Sequence, residues 1–135
     1  MLLNKYELTI KKSKFIAFLY KIEDVKEVKE IINTLKKENT KAKHFPYAYI
    51  LNSKQGKSDD KEPHNSAGMQ IYNQLIYHNL NSHLIVIVRY FGGTKLGAGN
   101  LLRTYLTCAK NVNENNINYF YLLKFYPFVL LKMKP

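Results

Sequence analysis

Residues 84–103 read LIVIVRYFGGTKLGAGNLLR: an apolar strand pattern that runs straight into a glycine-rich turn, which in turn opens a helix. Apart from Arg89, residues 84–91 are apolar on both faces, as expected of a central strand covered by helices on at least one side. From about residue 97 to 113, Ala98, Leu101, Leu102, Tyr105, Cys108, Ala109 and Val112 recur at helical spacing and form one stripe. A strand joined this tightly to an amphipathic helix commits the chain to a sheet with helices packed against it.

The turn itself carries the main functional signal. Gly92, Gly93, Gly97 and Gly99 fall within eight positions and are framed by Arg89, Lys95 and Arg103. A helix start leaves its first backbone amides unpaired at the positive end of the macrodipole, and glycines let a phosphate approach them closely. The order G-x-x-x-x-G-K-[ST] is absent, as is G-x-G-x-x-G with an acid about twenty positions on, so neither nucleotide fingerprint is written here. The same glycines also suit a purely structural role. Gly92 and Gly93 would make the tight turn, while Gly97 and Gly99 would let helix and sheet pack closely.

Ahead of this unit, residues 14–22 are rich in aromatic and β-branched types and read as a strand. Asp24 and Glu27 form a capping pattern for a helix whose apolar stripe is Val25, Val28, Ile31, Ile32 and Leu35. A second strand is expected at about 44–52, where Pro46 argues for an early or edge position. Residues 53–65 read as a polar loop. A helix over about 66–79 would present Met69, Tyr72, Leu75 and Ile76 on one face. The expected class is α+β, a mixed sheet with two or three packed helices.

At 135 residues the chain makes one domain. Its formal net charge is +11, unevenly spread: residues 63–135 hold seven Lys or Arg against the single acid Glu114. Such a balance attracts phosphate backbones through a salt-sensitive term. Fourteen asparagines and a preference for lysine over arginine are also what compositional bias produces. Cys108 is the single cysteine and lies on an apolar helix face, which excludes an internal disulfide and a cysteine zinc site. His44, His64, His78 and His83 show no metal-ligand spacing, with His44 expected to pack or hydrogen-bond and His78 and His83 to be exposed. No cofactor or metal is expected. No segment has signal-peptide or membrane-spanning character, so the cytoplasm is the default compartment.

Four separated motifs, KKSKFIA at 11–17, HFPYAYI at 44–50, SDDKEPHNSAG at 58–68 and VIVRYFGGTKLGAGNLLRTY at 86–105, occur in the order seen in the IMPACT/YigZ family. Over residues 8–115 the chain resembles the amino-terminal domain of that family. The resemblance implies a fold like the second domain of ribosomal protein S-five and like domain four of elongation factor G. It also implies a role in translational regulation or nucleic-acid binding, with RNA, the ribosome or a protein of the translation machinery as partner. By the same resemblance, residues 1–116 are the Impact-like domain. By composition the aromatic run at 117–131 reads as a last strand, the start of a second domain or an exposed sticky segment; by the resemblance it looks like the first strand of a second, ferredoxin-like domain, as in a truncated or split copy.

Members usually carry D-D-G-E-P-x-G-T-A-G, where this chain keeps Asp59, Asp60, Glu62, Pro63, Ala67 and Gly68 but has Lys61, Asn65 and Ser66 in place of Gly, Gly and Thr. Asn100 stands where glycine is common. Lys61 in a glycine position requires ordinary dihedrals there or a shifted loop.

The acids Asp59, Asp60 and Glu62 admit three roles: metal or acid/base chemistry, capping of the following helix, or pairing with Arg89 or Arg103 to hold the glycine loop. The leading expectation is a non-catalytic domain that contacts RNA or phosphate through Arg89, Gly92, Gly93, Lys95, Gly97, Gly99 and Arg103. The alternatives are an enzyme handling a phosphorylated small molecule through the acidic loop, with Mg²⁺, or a protein-interaction module. Tyr47, Tyr49, Tyr90 and Phe91 offer stacking faces, although Tyr90 and Phe91 must point to opposite sides of their strand.

Overall fold

The computed structural model describes residues 1–114, and the aromatic run at 117–131 lies outside them. The chain order is β1 (Leu2–Ile10), β2 (Ser13–Lys21), α1 (Lys26–Glu38), β3 (Tyr47–Leu51), β4 (Lys54–Ser58), α2 (Gly68–Tyr77), β5 (His83–Tyr90) and α3 (Ala98–Glu114). The five strands form one sheet in the order β1-β2-β5-β3-β4. Among the described residues the class is α+β with three helices, as expected, but every strand pair there is antiparallel and the sheet is not mixed.

Alternation along the strands divides the interior into two layers. Phe15, Ala17 and Leu19 of β2, Ala48 of β3, and Ile85 and Ile87 of β5 face α2 and α3. Ile16 and Phe18, Leu51, and Leu84, Val86 and Val88 face the opposite way, toward α1. Successive side chains of a strand point to opposite faces, so an unbroken apolar run is what a sheet covered on both sides requires. The expectation of a central strand at 84–91 holds: β5 is the middle strand and is buried from Leu84 to Arg89.

Two strands were not expected. β1 joins β2 through a two-residue turn in which Lys11 and Lys12 both take positive φ, 47° and 67°. That geometry matches a tight hairpin but normally selects Asn or Gly, so the turn left no sequence signal. β4 falls inside the stretch read as a loop, and its polar sequence KQGKS is that of an edge strand paired on one side with β3. Pro46 sits just ahead of β3, which is an interior strand.

The helices need smaller corrections. At the start of α1, Glu27 Oε2 in the first turn accepts from the amides of Glu23 (2.6 Å) and Asp24 (2.8 Å), while Asp24 Oδ1 accepts from Lys26 N (2.9 Å), so the expected cap is present. These bonds hold the Glu27 carboxyl below its ordinary value. The buried side of α2 is Gly68, Ile71 and Leu75, whereas Ile76 is exposed. On α3 the stripe begins at Leu101, because Ala98 lies in the exposed first turn.

Candidate functional site

The segment from Ser58 to Gly68 connects β4 to α2, and its carboxylates are fully occupied in shaping it. Asp59 Oδ1 accepts from the amides of Ala67 (3.1 Å) and Gly68 (2.8 Å), and its Oδ2 accepts from Asn65 N (3.0 Å), which caps α2. Asp60 Oδ2 accepts from Phe45 N at 2.7 Å, and the Asp60 carbonyl lies 2.8 Å from His44 Nδ1. The loop therefore ties itself to the chain entering β3. Lys61 does not escape the backbone of the glycine it replaces: its φ is +69°, between Asp60 at +44° and Glu62, and Asn65 is at +60°. The expectation of ordinary dihedrals is corrected, and Lys61 carries a left-handed backbone that glycine would take without strain.

Glu62 points inward. Its two oxygens accept from Arg89 Nη1 at 2.9 and 2.7 Å, the Tyr105 hydroxyl donates to Oε2, and His44 Nε2 stands 3.4 Å from Oε1. Glu62 is 8% exposed and Arg89 6%. The guanidinium lies over two rings, Phe15 at 5.3 Å and Phe91 at 5.8 Å, and Phe15 meets Tyr105 edge-on at 5.3 Å. Burial, and after it the Glu62 charge, holds the Tyr105 hydroxyl well above its ordinary value, so it stays a donor. Of the three roles open to the acids, capping and ion pairing are the ones seen: Asp59 caps, Asp60 anchors and Glu62 pairs with Arg89.

The four glycines have different reasons to be glycine. A Cβ on Gly92 would sit 2.2 Å from the Lys12 carbonyl carbon, and the Gly92 amide donates to Ser13 Oγ at 3.1 Å, so the β1–β2 turn is seated on this residue. Gly93 and Gly97 have φ of +88° and +83° with open space around them. Gly99 faces Arg103, whose Nη2 donates to Asn100 Oδ1 at 2.8 Å. Asn100, in turn, donates from Nδ2 to Leu96 O at 3.0 Å across the helix start.

These residues do not converge on one spot. A cavity of about 540 Å³ opens at the start of α3, walled by Pro63, Phe91, Leu96 and Ala98, with Lys43 and Lys95 at its rim and Arg89 and Glu62 at its base. Arg103 does not line the cavity; its guanidinium rests against Gly99 and Asn100 at the same helix start, over a second depression with Leu8, Ile10 and Thr107. Of the expected cations, Lys95 and Arg89 share the cavity, Arg89 already neutralised by Glu62, and Arg103 does not. Lys43 was not singled out from sequence. It arrives because its amide donates to Arg89 O at 2.8 Å, a pairing set by the bridge between His44 and Arg89.

Among the aromatics, Phe91 faces the cavity and is 46% exposed, while Tyr90 points to the α1 side, where its hydroxyl donates to Asn39 Oδ1. Tyr47 and Tyr49 line a separate groove beside α1. His78 and His83 are half-buried rather than exposed, and burial lowers the pKa of His83. Cys108 is buried and its thiol is pushed up to about 12 by desolvation, so it is inert. No group of three or more His, Cys, Asp or Glu positioned to hold a metal occurs among the described residues, and no helix there is long and apolar enough to cross a membrane.

Comparison with known proteins agrees with this geometry. The chain is 37% identical over 114 residues to the IMPACT family member YvyE of Bacillus subtilis, covering 82% of this chain and 51% of that protein. It is 36% identical over 101 residues to the IMPACT family member YigZ of Escherichia coli, covering 71% and 50%. The chain thus spans about half the length of these relatives. A crystal structure of a hypothetical protein superposes with a TM-score of 0.79 at 29% identity, over 82% of this chain and 56% of that one. The two-domain translational regulator Yih1 shares the fold at a TM-score of 0.53 and 17% identity, over 85% of this chain and 46% of its own. The model of the Impact N-terminal domain matches residues 11–113, from the hairpin turn to the last turns of α3, and the chain belongs to that family.

Proposed function

We propose that this chain is a translation-associated regulatory domain that contacts RNA through the cavity at the start of α3. The observation that carries the reading is the pairing of a helix N-terminus with Lys43 and Lys95, two exposed cations on the cavity rim. Helix geometry leaves the amides of the first turn without intrahelical acceptors, and Leu101 N is the first to bond back, to Gly97 O at 2.9 Å. Phosphate is the group that uses amides, dipole and lysines together. Membership in the Impact N-terminal domain family, and the shared fold of a translational regulator, support the translation half of the reading.

The test is a fluorescence-anisotropy titration with a short single-stranded RNA at low and near-physiological salt. Lys43→Glu and Lys95→Glu should each weaken binding and lower the salt slope by about one. Lys29→Glu, on α1 across the sheet, should change affinity less than either. Equal losses in all three variants would reduce the attraction to net charge alone and refute the site.

A further inference from the structure

We propose that the cavity at the start of α3 receives a single nucleotide, its 5′-phosphate at Lys43, Lys95 and the first-turn amides of α3 and its base against Phe91. This rests on the phosphate reading above and narrows it from a backbone contact to a nucleoside 5′-monophosphate unit.

Four observations converge on that ligand. The volume of about 540 Å³ lies in the range of sites that enclose one small molecule. Its walls are mostly apolar, Pro63, Phe91, Leu96 and Ala98, while its free cations sit at the rim. A bare phosphate uses only the second set and an apolar ligand only the first; a nucleotide uses both. Among the described residues Phe91 is one of five large apolar side chains left exposed, at 46%, and its ring is already flanked by the Arg89 guanidinium at 5.8 Å. A ring held in this way is a stacking platform whose ordering cost has been met on folding.

The fourth observation is independent of the helix start. Arg89 lines the cavity, is 94% removed from solvent, and its Nε–H has no acceptor among the described residues. A buried donor without a partner is costly; Nε is shut off from solvent as it stands, and a small shift of the guanidinium toward a ligand oxygen or ring nitrogen in the cavity removes that cost. Glu62 also lines the cavity but offers no competing charge, because both of its oxygens are engaged by Arg89 and one also by Tyr105. Gly97 keeps the entrance clear, with nothing within 4 Å of the position a Cβ would take.

The experiment is a two-dimensional amide NMR titration of the ¹⁵N-labelled chain with adenosine 5′-monophosphate, with orthophosphate, and with matched RNA oligomers bearing a 5′-phosphate or a 5′-hydroxyl. Adenosine monophosphate should give saturable shifts at Gly97, Ala98 and Gly99. Phe91→Ala should weaken it about tenfold, the size of one lost base–aromatic stack, while leaving orthophosphate binding unchanged. Phe91→Tyr should restore it. Lys95→Glu should weaken both ligands. The orthophosphate response also reports that Phe91→Ala is folded at the site.

Stronger competition by the 5′-phosphorylated oligomer than by its 5′-hydroxyl partner assigns the nucleotide to an RNA end. Equal competition, with adenosine monophosphate bound, assigns it to a free nucleotide. RNA binding sensitive to Lys95→Glu without any adenosine monophosphate shifts overturns the single-nucleotide site and leaves the RNA reading standing. Nucleotide binding without RNA binding does the reverse. Identical affinity for orthophosphate and adenosine monophosphate, indifferent to Phe91→Ala, also overturns it.

Discussion

Removing the charge of Glu62 should cost far more than an ordinary ion pair is worth, because the partner it strands is buried. In Glu62→Gln the side chain keeps its shape and the Tyr105 hydroxyl keeps an acceptor, but Arg89 is left as an uncompensated cation that is 6% exposed and already has an unpaired Nε. Breaking one side of a buried pair typically costs about 3 to 5 kcal/mol, and the retained amide acceptor places this variant near the lower end. Arg89→Met should cost a similar amount by stranding the Glu62 carboxylate. The double variant should cost less than the sum and no more than about one single loss, since no buried charge remains.

Urea unfolding followed by circular dichroism, at two salt concentrations, measures all four proteins. For a domain stable by about 5 to 15 kcal/mol, a loss of about 3 lowers the midpoint substantially at unchanged slope. Because the pair is out of water, added salt should not shrink the difference, as it would for exposed charges. Single losses below about 1 kcal/mol, or strictly additive losses, would refute the description of Glu62, Arg89 and Tyr105 as one buried cluster.

Three further outcomes are expected. Gly92→Ala, whose Cβ would lie 2.2 Å from Lys12 backbone, should lose at least about 3 kcal/mol, against about 1 for Gly93→Ala, which meets nothing but its φ of +88°; thermal melts showing the opposite order would refute the packing. Lys61→Gly should gain about 1 kcal/mol in urea unfolding by relieving φ of +69°, with Lys61→Ala near neutral as the control for the side chain. The Cys108 thiol is raised from 9.0 to about 12 by burial, so its contribution is whole below pH 9 and is lost as pH climbs toward 12. Between those values wild type should lose on the order of 4 kcal/mol that Cys108→Ala does not, and alkylation at pH 8 should follow global unfolding.

How far the fold could be read from sequence depended on where each element keeps its information. β2, α1, α2, β5 and α3 announce themselves through apolar periodicity, because each buries one face or both. β1 and β4 are the sheet's edge strands and bury little. Their identity lies in pairing, and the Lys11–Lys12 turn lacks the Asn or Gly that would have marked the hairpin. The site divides in the same way. Sequence could place Glu62 near either Arg89 or Arg103, and the register that sets His44 opposite Arg89 decides for Arg89 and brings in Lys43. Helical position put Arg103 on the same helix as Gly99 without revealing that it turns toward Leu8 and Ile10.

The same geometry explains why the chain can depart from the usual glycine pattern of the acidic loop. Asp59, Asp60 and Glu62 hold that loop through six bonds to backbone amides and to Arg89, so the left-handed residues between them are fixed by their neighbours rather than by their own preference. Lys61 and Asn65 add strain but leave the carboxylates where they are. Gly92 is different, because the Lys12 backbone occupies the space a side chain would need and no neighbouring bond can compensate. Acids and glycines thus spend their chemistry on placing the start of α3 against β5 and neutralising Arg89. The positive charge left at the cavity belongs to Lys43 and Lys95, and it is at these two residues, rather than at the buried arginine, that substitution should alter ligand binding without altering the fold.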